Sequence, residues 1–81
     1  MNVTVEFLPP LNGVAGTSRA SASLPEGGTV SHLIAALREQ FPRLSPVIGN
    51  AMFMVEGSLA RPETRLRDGE RVLILKILGG G

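Results

Sequence analysis

Between Thr29 and Pro42 the chain carries an apolar stripe of helical period: Val30, Leu33, Ile34, Leu37 and Phe41 fall at i, i+3, i+4, i+7 and i+11. Thr29 stands where an N-cap side chain accepts from exposed backbone N–H groups. Pro42 ends the pattern, because the residue before a proline is pushed out of the helical region. The spacing predicts a helix over about 30–41. The other patterned segments alternate with period two, so the chain must bury its strands against this one helix.

Residues 2–8, NVTVEFL, place Val3, Val5 and Phe7 on one side and Asn2, Thr4 and Glu6 on the other, the pattern of a half-buried strand. PPLNGVAGT then reads as a turn, since prolines cannot donate to a ladder and Asn12-Gly13 and Gly16 supply reversals. A second strand over 18–24 puts Ala20, Ala22 and Leu24 inward, leaving room for something bulky across them. After the helix, RLSPVIGN reads as an irregular connection. Residues 51–56 form a third strand, Gly57-Ser58 a turn, and a short return ends at Pro62. Asp68-Gly69 makes a tight turn into a last strand over 71–78, rich enough in branched residues to sit centrally. Strand, strand, helix, strand, short strand, strand is the order of an α+β β-grasp domain, a mixed sheet of four to five strands on one main helix.

The chain has 81 residues and no cysteine, so neither disulfides nor thiolate-bound metal can stabilise it, and the core must. Hydrophobic residues at 43% against 19% charged supply a core of that kind and exclude a disordered segment. A domain over 1–78 and a flexible glycine tail over 79–81 are expected, in the cytoplasm, with no membrane span. A net charge of +1, with no Tyr and no Trp for base stacking, argues against nucleic acid.

Catalytic parts are scarce. His32 has no carboxylate orienter and no second ligand within a helical turn, so it reads as an exposed helix residue, and no metal site is expected. Gly27-Gly28 lacks the Lys-Ser/Thr of a phosphate loop and reads as a turn before the helix. Arg61, Arg65, Arg67, Arg71 and Lys76 are five of the eight basic residues, interleaved with Glu63, Asp68 and Glu70, and read first as a solvated face.

In the last strand, alternation puts Val72, Ile74 and Lys76 on one side and Arg71, Leu73, Leu75 and Ile77 on the other. Arg71 marks the second set as outward, so Val72 and Ile74 belong to the core. Leu73, Leu75 and Ile77 should form an exposed apolar row, and such a row on a small domain marks a protein interface. Gly79, Gly80 and Gly81 follow it.

These last residues, DGERV through Gly80-Gly81, resemble the end of the ubiquitin-like sulfur carriers of the MoaD and ThiS type. MNVTVEF is similar to the family's first strand, GGTVSHLIAAL to its helix entry and FPRL to its helix exit. The chain departs at Val55-Glu56-Gly57, where members often have Val-Asn-Gly, and at Lys76-Ile77-Leu78-Gly79, where many molybdopterin-type members have Pro-Pro-Val-Ser.

The resemblance implies a carrier and not an enzyme, with no cofactor of its own. A ubiquitin-activating-type adenylyltransferase would use ATP to adenylate the carboxylate of Gly81, and a sulfur donor would displace AMP to leave a thiocarboxylate. A sulfur-accepting synthase large subunit would then take the sulfur. Leu73, Leu75 and Ile77 would dock on these partners with Arg71 and Lys76 at the rim, while Gly79 and Gly80, lacking Cβ atoms, would let the tail thread a narrow channel. Molybdopterin biosynthesis is the preferred pathway. Thiamin, cysteine or tRNA thiolation, a protein modifier conjugated through Gly81, and a plain β-grasp interaction module remain open.

Overall fold

The computed structural model describes residues 1–76. Its elements are β1 (Asn2–Phe7), α1 (Leu11–Ala15), β2 (Arg19–Ser23), α2 (Val30–Gln40), a 3₁₀ turn (Pro42–Leu44), α3 (Ser45–Ile48), β3 (Ala51–Val55), β4 (Ser58–Leu59) and β5 (Arg71–Lys76). The five strands form one sheet in the order β2-β1-β5-β3-β4. β1 runs parallel to β5 and every other pair is antiparallel. This is the expected β-grasp, with the last strand in the middle.

Alternation decides which face of each strand is buried. Val3, Val5 and Phe7 of β1, Phe53 and Val55 of β3, and Val72 and Ile74 of β5 all turn inward and meet Val30, Leu33 and Leu37 of α2 in one apolar cluster. The Phe7 and Phe41 rings meet edge to face, centroids 5.4 Å apart, which fixes the C-terminal end of α2 over β1. On β2 Ala22 is buried and Ala20 half-buried, so the small residues sit on the core side as the alternation required.

The start of α2 is capped more fully than the sequence showed. Thr29 Oγ1 accepts from the His32 backbone N–H at 3.5 Å, and His32 Nδ1 accepts from the Thr29 N–H at 3.0 Å, a reciprocal capping box. The next two N–H groups, of Val30 and Ser31, donate to Thr64 and Pro62 carbonyls at 3.0 and 2.9 Å. The segment between β4 and β5 therefore satisfies the helix's orphan donors and is held against it. In the turn before the helix, glycine is required at position 28, since a Cβ there would lie 2.9 Å from the Pro25 carbonyl oxygen.

Two stretches differ from expectation. The turn after β1 contains the five-residue helix α1, and the connection after α2 winds into a 3₁₀ turn and α3. Their function is packing: Leu11, Leu44 and Ile48 are each 1% exposed or less and belong to the core cluster. No helix among the described residues is long and apolar enough to cross a membrane.

Candidate functional site

The candidate site is built on β5, whose start is pinned to β1. Asp68 Oδ1 accepts from the Asn2 N–H at 2.7 Å, and the Gly69 N–H donates to the Asn2 carbonyl at 2.7 Å. Gly69 takes φ +80°, a conformation that a side chain would strain. Glu70 Oε1 closes the same turn by accepting from the Arg67 N–H at 2.9 Å. With the turn fixed in this way, the register of β5 is fixed too, and a one-residue slip would exchange its two faces.

In that register Val72 and Ile74 are fully buried under α2, while Arg71, Leu73 and Leu75 face away from it. The face assignment from alternation holds over these residues. The exposed row is different in degree: Leu73 and Leu75 are half-buried. Neighbouring strands explain this, because Leu73 lies opposite Glu6 on β1 and Met54 on β3, and Leu75 opposite Met52 on β3. Met54 is in turn opposite Leu59 of β4, which is 60% exposed. The outer face thus carries an apolar patch, Leu73 and Leu75 with Met52, Met54 and Leu59, across three strands.

Met52, Met54 and Leu59 were missed by the sequence reading. In AMFMV both faces of the strand are apolar, so period two leaves no contrast between the inward Phe53 and the outward methionines. Methionine suits such a surface, being flexible enough to repack against different partners.

The two basic residues of β5 lie at opposite ends. Arg71 is exposed on the outer face, its Nε 3.5 Å from Glu6 Oε1, and Arg19 Nη2 meets the same oxygen at 3.0 Å. Glu6 thus bridges two arginines across β2, β1 and β5. Lys76 is exposed at the other end, opposite Ala51, and shares the parity of Val72 and Ile74. Ile77, Gly79, Gly80 and Gly81, the remaining expected site residues, lie outside the described residues. His32 is remote from this face, exposed, and occupied with the α2 cap. Among the described residues no group of three or more His, Asp or Glu side chains is placed to hold a metal ion.

Residues 5–81 match the sequence model of the ThiS family. The chain belongs to the ThiS family. No curated protein matches it by sequence comparison. Among solved structures, this ThiS-family chain is similar to small archaeal modifier protein 1 of Methanosarcina acetivorans, with 26% identity and a TM-score of 0.83 over 99% of this chain and 96% of that one. It is also similar to the putative molybdopterin converting factor, subunit 1, of Pyrococcus furiosus, with 22% identity and a TM-score of 0.85 over 96% and 99% of the two chains. A third likeness is to a chain in the complex of subunits 1 and 2 of the Helicobacter pylori molybdopterin-converting factor, with 23% identity and a TM-score of 0.71 over the whole of both. The ThiS-family fold and the outer-face patch on β5, β3 and β4 are thus both in place.

Proposed function

We propose that the protein is a non-catalytic sulfur carrier of the cytoplasm whose reactive group is the carboxylate of Gly81. The observation that carries this reading is the family match, which runs through residue 81 and so includes Gly80-Gly81. A free α-carboxylate is ionised at neutral pH, a competent nucleophile toward the α-phosphate of ATP and a poor electrophile until activated. An adenylyltransferase would join it to AMP with release of pyrophosphate, and sulfide from a donor would then displace AMP to leave the thiocarboxylate. ATP is bound by that enzyme and not by this chain. The catalytic groups belong to the partners, consistent with a chain that has no cysteine and a single histidine engaged in a helix cap.

Docking on these partners falls to Leu73, Leu75 and Ile77, joined by Met52, Met54 and Leu59, with Arg71 and Lys76 at the two ends of β5. Gly79 and Gly80 carry the carboxylate into the partner's site. The likeness to two molybdopterin-converting-factor subunits favours molybdopterin biosynthesis and a synthase large subunit as the sulfur acceptor. The likeness to small archaeal modifier protein 1 favours a second reading, conjugation of Gly81 to lysines of target proteins.

ATP–pyrophosphate exchange catalysed by a family activating enzyme tests the first step. Exchange should depend on the added chain and disappear when Gly81 is deleted, with the far-UV circular dichroism unchanged. Undiminished exchange with the shortened chain would refute a role for Gly81. Isopeptide-linked adducts in cell lysate, abolished by the same deletion, would favour the modifier.

A further inference from the structure

The outer face is dented at the entry end of β5 by a groove of about 370 Å³. That is near the lower end of ligand-pocket volumes, about 300–1,000 Å³, so it suits one or two side chains and not a folded element. Met54 and Leu73 give the groove an apolar lining, Gly57 and Gly69 leave its ends open, and Glu56, Glu70 and Arg71 supply its charges.

The lining carries two carboxylates against one guanidinium, an excess of one negative charge. Arg71 is directed to Glu6 on β1, Nε to Oε1 3.5 Å. Among the described residues the ion pairs are Arg19–Glu6, Arg61–Glu63 and Arg71–Glu6, and neither Glu56 nor Glu70 takes part in one. Glu70 is held in place by its acceptance from the Arg67 N–H at 2.9 Å, and a carboxylate has acceptor capacity beyond one bond. An apolar lining beside two carboxylates outside these ion pairs, with one more negative than positive side chain, is complementary to a side-chain pair that is apolar and cationic.

We infer that this groove docks a protein partner through a segment in which a leucine-sized side chain adjoins an arginine or lysine. The apolar side chain packs on Met54 and Leu73, and the cation lies against Glu56 and Glu70. A segment of this kind would hold the partner at the start of β5 while the strand's other end leads toward Gly81. The inference shares Leu73 with the docking row proposed above and rests on that row facing a partner. It adds what the partner must present.

The turn chemistry makes a clean variant available. Glu56 sits at φ +51° and Gly57 at φ +78°, and asparagine adopts the first of these conformations more readily than glutamate. Glu56→Asn therefore removes the charge while holding or raising thermal stability. Glu70→Gln keeps an acceptor for the Arg67 N–H.

The test is a titration of the isotopically labelled full chain with acetyl-Leu-Arg-amide, followed by the Gly57 and Gly69 amide and Met54 methyl resonances. Saturable shifts confined to these groups are expected. Affinity should fall about threefold in Glu56→Asn and about tenfold in Glu56→Asn/Glu70→Gln, as for partly exposed charge pairs. Equal affinity for acetyl-Leu-citrulline-amide, or no saturable shift, would overturn the inference. So would shifts at Leu59 and Arg61 that grow with protein concentration alone, since a second copy would then occupy the groove. The titration uses neither ATP nor Gly81, so its failure and the failure of the carrier reading are separate results.

Discussion

Ile74 and Leu75 are adjacent on the central strand, and replacing each with alanine tests whether β5 has the two faces described. Ile74 is fully buried, opposite Phe7 on one neighbouring strand and Phe53 on the other, so truncation leaves a cavity that the sheet cannot close. A loss of about 3–4 kcal/mol is expected for Ile74→Ala. An 81-residue domain has about 4–12 kcal/mol of stability in all, so this variant loses at least about a quarter of it. At about 4–8 °C per kcal/mol its midpoint should fall by about 12–30 °C. Leu75 is half-buried on the outer face against Met52, and Leu75→Ala should cost about 1 kcal/mol and about 4–8 °C. With no Trp and no Tyr in the chain, far-UV circular dichroism during heating and urea titration is the appropriate probe. Leu75→Glu should also fold, and should weaken partner binding while Ile74→Val leaves binding intact. Equal destabilisation by the two alanine variants would refute the face assignment and the docking surface with it.

His32→Ala should lower stability by about 0.5–1 kcal/mol through loss of the ring's acceptance from Thr29, and His32→Gln, which can accept in the same position, should recover most of it on urea denaturation. Ile48→Ala, in a segment that reads as loop, should cost about 2–4 kcal/mol because the side chain is fully buried, a thermal shift larger than any exposed loop residue would give. Glu6→Gln removes the carboxylate shared by Arg19 and Arg71, both well exposed, and should cost less than about 1 kcal/mol, an effect that shrinks further in high salt.

The main helix and its cap residue, the inward faces of β1 and β5, and the central place of β5 were legible because each depends on a local period or a local turn signal. α1 and α3 were not, since a helix of four or five residues is too short to display a period, and Leu11 and Ile48 stand among prolines and glycines that read as breakers. Their stability comes from the core they close, which is tertiary information. The site was legible in part. Leu73 and Leu75 followed from the polarity of Arg71, but Met52 and Met54 were hidden because Phe53 and Val55 are apolar as well. The ion pair between Arg71 and Glu6 joins residues far apart in sequence, and the groove joins the β3–β4 turn to the β5 entry turn, so neither has a spacing that could be read along the chain.

Intact-mass spectrometry of the full chain after incubation with ATP, sulfide and a family activating enzyme of proven competence tests the central claim most directly. The account predicts a mass gain equal to exchange of one oxygen for sulfur, located at Gly81 by fragmentation and absent without ATP. An unchanged mass under conditions in which a known carrier is converted, or sulfur placed anywhere but the C-terminus, would contradict it.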